Sequence, residues 1–282
     1  MSTYVVTLQC TDQPGIVRAA SSAIVEVGGN ILENDQFTDP VTGQFCMRTR
    51  FETDIDDIDV VRERLTIELA PFAPSLGVRD ELTERRAIIM VSTADHCLAE
   101  LLYRREQGDL PLDIVAIVSN HPDLGPLAAR YRIPFFEIPV TSGTKKAAED
   151  ELRLLIARYN VDVVVLARYM QLLSADLCSE LSGRAINIHH SFLPDFKGAK
   201  PYHQAYERGV KLIGATAHFV TPELDEGPII DQDVVRVSHA RLPGDLISLG
   251  RDIERNVLAR AVRLIAEDRV TLVGSRTVIF SQ

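Results

Sequence analysis

The sequence predicts an α/β protein with a ferredoxin-like βαββαβ unit followed by a Rossmann-like, mostly parallel sheet flanked by helices. Three observations support this. The 282 residues exceed the ~150 residues of a typical domain nearly twofold, which predicts two domains. Short strand-like runs alternate with helical spacing over the first part of the chain. From Ala87 the strand-like runs become continuously apolar, as in parallel strands buried on both faces.

The first domain is predicted to span residues 1–80. Residues 4–9 are mainly β-branched and apolar, and Asp12 in the following turn is expected to cap a helix over 16–27. Two strand-like runs then flank a hairpin loop that contains Pro40 and Gly43. A helix and a closing strand complete the unit. These later elements are strands at 31–38 and 44–51, a helix carrying Ile58, Val61, Leu65 and Leu69, and a strand at 75–79.

The charged residues 81–86 are interpreted as a linker, and residues 87–282 as the second domain. This domain repeats strand and helix, which predicts βαβ units and a parallel sheet. The predicted strands are 87–91, 114–118, 161–166, 185–189, 214–220 and 229–230, and the predicted helices include 97–107 and 144–159.

Composition and charge exclude several classes of protein. The formal net charge of −10 argues against sequence-independent nucleic-acid binding, which needs a cationic face. The apolar run 161–167 contains Asp162 and is far shorter than the ~20 residues of a membrane span. No secretory signal precedes the first strand. Four scattered cysteines without a C-x-x-C pair indicate reduced thiols and a cytoplasmic location.

Two segments carry candidate chemistry. Asn187 and His189 project to the same side of a predicted strand, where an amide donor and an imidazole suit an oxyanion on a reacting carbonyl carbon. For one isolated histidine, a structural role is the alternative. The loop 221–228 is acidic and bounded by proline and glycine, and a carboxylate such as Asp225 can hold an imidazolium or accept a proton from water. Ordinary solvated charge is the alternative for that loop.

The stretch N-I-H-H-S-F-L-P-D-F-K-G-A-K-P-Y-H, continued to T-P-E-L-D-E-G-P-I-I, resembles the catalytic core of the folate-dependent formyltransferase family, and especially its deformylase branch. The resemblance implies hydrolysis of 10-formyltetrahydrofolate to tetrahydrofolate and formate, which supplies formate for purine synthesis and balances folate pools. It places an oxyanion donor on Asn187, a proton or hydrogen-bond donor on His189 and a water-activating base on Asp225. The folate contacts it implies are Arg168, Tyr169, Met170, Leu172, Leu173 and Gly227.

No cofactor beyond the folate substrate is expected. No Cys/His cluster has the spacing of a metal site. The roles of His96, His121 and His190 stay open, with helix capping as the simpler interpretation for the first two.

The turn Asp12-x-Pro-Gly15, with the βαββαβ order, resembles an ACT domain. The resemblance implies an amino-acid effector and a homo-oligomer. Glycine permits close backbone approach, and free amides at a helix start can receive a carboxylate. The alternative is that the glycines only end a helix and the domain only joins subunits. The candidate effector residues are Asp12, Gly15, Ile16, Gly28, Gly29 and Asn30.

One departure separates two activities within this family. Formyltransferases acting on a ribonucleotide amine carry a glycine-rich phosphate loop after the first strand of this core. Here the segment 91–96 contains no glycine, and Asp95 would repel a phosphate. The sequence therefore favours water as the acceptor over an amine. Transfer to an amine, and a non-catalytic amino-acid sensor, stay as alternatives.

Overall fold

In a computed structural model the chain divides into two compact units, and the structure describes residues 1–193 and 201–280. The first unit comprises Met1–Glu84 and Glu267–Gln282, and the second comprises Arg85–Ala266. Residues 194–200, which form part of the resemblance motif, lie outside the described residues.

The first unit is an antiparallel four-stranded sheet in the order β2-β3-β1-β4, with two helices. This confirms the predicted βαββαβ architecture. The apolar faces of the helices and of the sheet share one core that includes Tyr4, Ile24, Phe51 and Leu65. The elements are β1 (Ser2–Thr11), α1 (Ile16–Glu26), β2 (Asn30–Thr38), β3 (Gln44–Thr53), α2 (Ile58–Leu69) and β4 (Ser75–Asp80), with a short 3-10 turn at Ala70–Phe72.

The start of α1 differs from the prediction. The capping residue is Gly15, which has a left-handed φ of 102° and no side-chain cap, so the expectation that Asp12 caps this helix is wrong. The reason is distance along the chain: the turn continues past Asp12 before the helix begins. In α2 a carboxylate does cap, because Asp57 accepts a hydrogen bond from the backbone N–H of Asp59.

The end of the chain belongs with the first unit, whereas the sequence placed it in the second. A hairpin of β12 (Val270–Val273) and β13 (Arg276–Ile279) lies against the first sheet. The Gln9 side chain donates to the Leu272 carbonyl oxygen at 2.7 Å, and Phe280 packs on the buried Cys46. These contacts connect residues more than two hundred positions apart, which local pattern does not reveal.

The second unit is a seven-stranded sheet in the order β11-β10-β9-β8-β5-β6-β7. The five strands from β9 to β7 run parallel, β10 pairs with β9 in antiparallel fashion, and β11 pairs with β10 in antiparallel fashion, which confirms the mostly parallel Rossmann-like sheet. The strands are β5 (Arg85–Val91), β6 (Leu112–Ser119), β7 (Phe135–Glu137), β8 (Val163–Leu166), β9 (Ala185–His189), β10 (Leu212–Phe219) and β11 (Ile229–Arg236).

The helices of the second unit connect and cover these strands. None of the helices among the described residues combines the length and apolarity needed to cross a membrane. The helices are α3 (His96–Glu106), α4 (Gly125–Arg130), α5 (Lys145–Arg158), α6 (Ala175–Glu180), α7 (Pro201–Glu207) and α8 (Pro243–Ala266).

The parallel order creates a natural ligand position. The chain leaves β5 toward β6 on one side and later returns to β8 on the other side, so β5 and β8 are neighbours at the point where the strand order reverses. In open α/β sheets, ligands bind outside the carboxyl ends of strands at such a point. Loops after β5, β8 and β9 meet at this edge.

Candidate active site

Four polar side chains share one face of the sheet at the carboxyl end of β9. Asn187 and His189 are two residues apart on β9, and the antiparallel register places His218 of β10 opposite Asn187 and Thr216 opposite His189. The Asn187 side-chain Nδ2 lies 3.2 Å from His218 Nε2. His189 is only 6% exposed. The predicted pairing of Asn187 with His189 is therefore extended by a second histidine.

Asp225 reaches the same face from the loop between β10 and β11. Its Oδ2 lies 3.2 Å from His189 Nδ1, and its Oδ1 lies 3.7 Å from His218 Nε2. Asp225 has a left-handed φ of 56°, which is uncommon for a residue other than glycine and typical of functional sites. The three residues that the sequence singled out are thus brought together.

Gly227 permits this approach of the loop. A Cβ at position 227 would lie 1.7 Å from the Phe219 carbonyl oxygen, so only glycine fits. The structure places Gly227 against β10, and its contact with folate stays a prediction. Its role here is to bring Asp225 to the two histidines.

The histidines determine the charge state of Asp225. Burial alone would raise the pKa of this carboxyl, but the neighbouring imidazoles of His189 and then of His218 outweigh burial and hold the pKa well below its usual range. Asp225 therefore stays ionised. Because a carbonyl oxygen only accepts, His218 Nδ1 donates to the Phe219 carbonyl at 2.8 Å, and His218 Nε2 faces Asn187 and Asp225.

This site opens on a cavity of about 690 Å³, large enough for a drug-sized ligand. The cavity wall combines the catalytic candidates with apolar side chains. From the loop after β8, it is lined by Arg168, Tyr169, Met170, Leu172 and Leu173.

The loop after β8 is anchored at several points. The Ala167 N–H donates to the Met90 carbonyl at 2.8 Å, and the Met170 N–H donates to Ser92 Oγ at 3.0 Å. At the far end, the buried Glu149 accepts hydrogen bonds from the Ser174 N–H and hydroxyl. The loop can therefore present its backbone and apolar side chains to a flat ring in a fixed conformation.

Comparison with known proteins bears on the identity of this site. The formyl transferase family profile matches residues 85–262. The formyltetrahydrofolate deformylase of Corynebacterium sp. (strain P-1) is 48% identical over 278 residues, which covers 98% of this chain and 97% of that protein. The chain belongs to the formyltetrahydrofolate deformylase family.

Solved structures agree with that assignment. The formyltetrahydrofolate deformylase of Burkholderia mallei superposes with a TM-score of 0.96 at 46% identity, covering all of both chains. Glycinamide ribonucleotide transformylase 1 from Symbiobacterium toebii matches 70% of this chain and 94% of its own, with a TM-score of 0.66 and 31% identity. This member of the deformylase family therefore shares its catalytic fold with transformylases and its full length with deformylases.

The deformylase fold also buries a polar cluster that the sequence analysis missed. Glu254 on α8 is 1% exposed, and its Oε2 lies 2.7 Å from His96 Nε2. Tyr202 donates its hydroxyl to Glu254 Oε1 at 2.6 Å, and Arg168 Nε lies 3.5 Å from Oε2. Burial would raise the pKa of Glu254, but His96, Arg168 and Tyr202 together lower it, so the carboxylate is ionised.

A cation is a poor match for this cluster. The ligand atoms of His96, Cys97 and Glu254 lie within 4.8 Å of one another. Both carboxylate oxygens of Glu254 are nevertheless used by His96 and Tyr202, and the Arg168 guanidinium already supplies positive charge. Burial also raises the pKa of the Cys97 thiol far above its usual value, which disfavours the thiolate that a metal needs.

His190 and His121 have clear positions. β9 ends at His189, and the chain then turns His190 into the cavity wall, with its ring 5.0 Å from that of His189. Burial, and then the charges of Arg168 and His189, lower the pKa of His190 to about 4, so it is neutral near pH 7. The His121 N–H donates to Ser119 Oγ at 3.1 Å, as in a turn.

The candidate effector residues lie around the two ends of α1. Gly28 has a φ of 65°, and the Gly28 and Gly29 N–H groups bond back to the last carbonyls of the helix. A Cβ at Gly29 would lie 2.6 Å from Ile24 and 2.8 Å from Phe51. The backbone at Gly29 thus packs closely against core residues of the first unit. Asn30 donates to Glu52 at 3.1 Å.

Proposed function

We propose that this chain hydrolyses the N-formyl group of 10-formyltetrahydrofolate to give tetrahydrofolate and formate. The observation that carries the proposal is the meeting of Asn187, His189 and Asp225 on one wall of a cavity that also presents apolar side chains. The family assignment supports it, because full-length relatives carry the deformylase name.

The geometry supports a proton-transfer role for His189. Asp225 accepts the Nδ1–H of His189, which leaves Nε2 as the nitrogen available to reactants, and Nε2 has no hydrogen-bond partner among the described residues. A carboxylate with a strongly lowered pKa is a weak base. Asp225 therefore orients His189 and stabilises its protonated form, in contrast to the water-activating role that the family resemblance implied.

The proposed reaction has two steps, and the proton that His189 takes up in the first step is given back in the second. His189 Nε2 takes a proton from water as the water oxygen attacks the formyl carbon, and a tetrahedral oxyanion forms. Asn187 donates to this oxyanion through the second hydrogen of Nδ2, because only one of the two hydrogens is directed at His218. The bond between carbon and N10 then breaks, and N10 receives the proton held by His189.

Transfer of the formyl group to an amine is the competing function. Transformylases share the fold of the second unit but match only about 70% of the chain. The β5–α3 turn offers no glycine for a phosphate, and His96 at this turn is bonded to Glu254. A non-catalytic sensor is disfavoured by the assembled polar trio. Water is therefore the proposed acceptor.

The deciding experiment uses the full chain with 10-formyltetrahydrofolate and no amine. A hydrolase releases formate and tetrahydrofolate in equal amounts over many turnovers. A transferase releases formate only slowly and accelerates when glycinamide ribonucleotide is added. Acceleration by that amine, with formylated amine as the product, would overturn the proposal.

The proposed cellular role follows from the reaction: formate supply for purine synthesis and balance between formylated and free folate. All four cysteines are buried free thiols, which supports the proposed cytoplasmic location.

For the first unit, the proposal is an ACT-like domain that binds an amino acid and joins subunits. Exposed apolar side chains on the edge strand β2, namely Leu32 and Phe37, support a homo-oligomer, since an unpaired edge favours strand addition. The effector test is formate release across the twenty amino acids. Asn30→Ala is the informative variant, because a larger residue at Gly29 would clash with Ile24 and disturb folding. A response unchanged in Asn30→Ala would contradict the placement of the effector.

A further inference from the structure

Glu254 is a charged group that the proposed chemistry does not use, although it lies beside the reacting residues. Burying a carboxylate costs several kcal/mol unless it is paired and hydrogen-bonded. Glu254 meets that condition with partners from three separate elements: His96 from the start of α3, Arg168 from the loop after β8 and Tyr202 from α7. One side chain on α8 thus connects three parts of the cavity wall.

Tyr202 is held in place by α8 at two points. Its hydroxyl bonds to Glu254 at 2.6 Å, and its ring fills the space above Gly250, one helical turn earlier. A Cβ at position 250 would lie 2.1 Å from the ring, so glycine is needed for this packing. The position of the Tyr202 ring therefore depends on the Glu254 hydrogen bond and the Gly250 gap.

The Tyr202 ring is in turn the neighbour of the histidine pair. The centroid of the His190 ring lies 6.3 Å from that of Tyr202 and 5.0 Å from that of His189. On its other side His189 is held by Asp225 through Nδ1. The His189 ring thus lies between Asp225 and a row of neighbouring side chains, His190 and Tyr202, that leads to Glu254.

We propose that Glu254 is a positioning residue that fixes the orientation of His189 through Tyr202 and His190. The inference rests on the proposed deformylase function. It predicts an effect on the chemical step and little effect on folate binding. The loop after β8, which is predicted to contact folate, keeps its own anchors at Ala167 and Met170 when Glu254 is changed.

A second buried carboxylate offers a matched comparison. Glu149 is 8% exposed and accepts two hydrogen bonds from Ser174 at the far end of the loop after β8. Its loss should loosen that loop and raise KM. If Glu254 and Glu149 served only general stability, their loss would not affect kcat in one variant and KM in the other.

The experiment measures kcat and KM for formate release by the full chain and by Glu254→Gln, Tyr202→Phe, Glu149→Gln and Asp252→Asn. Asp252 lies on α8 near Glu254 but is exposed, and pairs only with Arg255 among the described residues. Displacing a catalytic group by about 1 Å costs on the order of 100-fold, so Glu254→Gln should lower kcat roughly 10- to 100-fold with KM within about twofold. Tyr202→Phe keeps the ring over Gly250 and should lower kcat about fivefold, a partial loss on the same scale.

The results separate the possible failures. Glu149→Gln should raise KM with kcat nearly intact, and Asp252→Asn should match the wild type. A Glu254→Gln variant that folds and keeps wild-type kcat, or changes only KM, would overturn the inference. If Glu254→Gln does not fold, Tyr202→Phe decides, and an unchanged kcat overturns it. Absence of formate release by the wild type would instead refute the proposed function.

Discussion

In the proposed mechanism, Asn187 donates to the oxyanion through the one amide hydrogen that is not directed at His218. One hydrogen of Nδ2 is directed at His218, whose other nitrogen donates to the Phe219 carbonyl. This chain of hydrogen bonds fixes the amide before substrate arrives, and such preorganised donors contribute most when charge develops.

Replacing Asn187 by alanine removes that donor. We expect kcat/KM for formate release to fall ~10²–10³-fold, equivalent to ~3–4 kcal/mol of transition-state stabilisation. The measurement is steady-state kinetics beside a folate-binding titration. His218→Ala removes one neighbour of Asp225 and frees the Asn187 amide to rotate, but it leaves the amide donor in place and should cost less. Near wild-type turnover in folded Asn187→Ala would remove Asn187 from the mechanism.

The lowered pKa of Asp225 predicts how the stability of the fold changes with pH. Its pKa is lowered in the folded chain, so the ionised form stabilises the fold above the unfolded pKa of ~3.9, and this contribution is lost as pH falls toward the lower folded value. Asp225→Asn lacks this contribution. The difference in free energy of unfolding between wild type and Asp225→Asn should therefore be largest near pH 7 and shrink below about pH 4. A difference that grows on acidification would contradict the assigned pairing.

The sequence identified these residues to different extents. Alternation along β9 was sufficient to pair Asn187 with His189. Asp225 followed from the family resemblance, while its left-handed backbone and its two histidine partners did not, because they depend on the β9–β10 register. Because His218 alternates with Thr216 on β10, the two side chains were predictable on one face of that strand. Only the β9–β10 register shows that this face adjoins Asn187 and His189.

Among the elements, α8 carries the buried Glu254 beside the site and was absent from the sequence prediction. Its 24 residues carry Glu254 and Gly250 on the side that faces Tyr202. A glutamate among arginines and aspartates is typical of a solvated helix face, so the burial of Glu254 was not predictable from the sequence pattern. The strands were easier to predict, because continuous apolar runs at β5, β6 and β8 require burial on both faces.

Two glycines of α8 provide an element-scale prediction. Glycine to alanine normally stabilises a helix interior by up to ~1 kcal/mol. Gly250→Ala should instead lower the thermal midpoint and kcat, because the new Cβ would meet the Tyr202 ring at 2.1 Å. Gly244→Ala is the control, since nothing lies within 4 Å of a Cβ there. Equal thermal midpoints for the two variants would contradict the packing of Tyr202 on α8.

At the level of the whole chain, the last residues return to the first unit. Arg269 donates to Glu33 at 3.2 Å and to the Phe280 carbonyl, and Arg48 donates to the Glu267 carbonyl. The sequence boundary at residue 87 came close to the observed start of the second unit, whereas the return of 267–282 rests on such long-range contacts. Sequence periodicity carries no information about them.

Phe280→Ala tests this return. Truncating a buried phenylalanine typically costs ~3–5 kcal/mol, and Phe280 packs on Cys46, whose pKa is raised to about 11 by burial. The variant should label at Cys46 faster with a thiol reagent, as followed by peptide mass spectrometry. Cys97 in the second unit and the exposed-site variant Val41→Ala serve as controls. Unchanged labelling of Cys46 would contradict the covering role of the hairpin.

The central claim is that water attacks the formyl carbon at Asn187, His189 and Asp225. The most direct measurement is turnover of 10-formyltetrahydrofolate by the full chain in ¹⁸O-labelled water without any amine. We expect formate that contains one oxygen from water, formed in equal amount with tetrahydrofolate, and loss of this product in His189→Ala. Formate without the label, or labelled formate at an undiminished rate from His189→Ala, would contradict it.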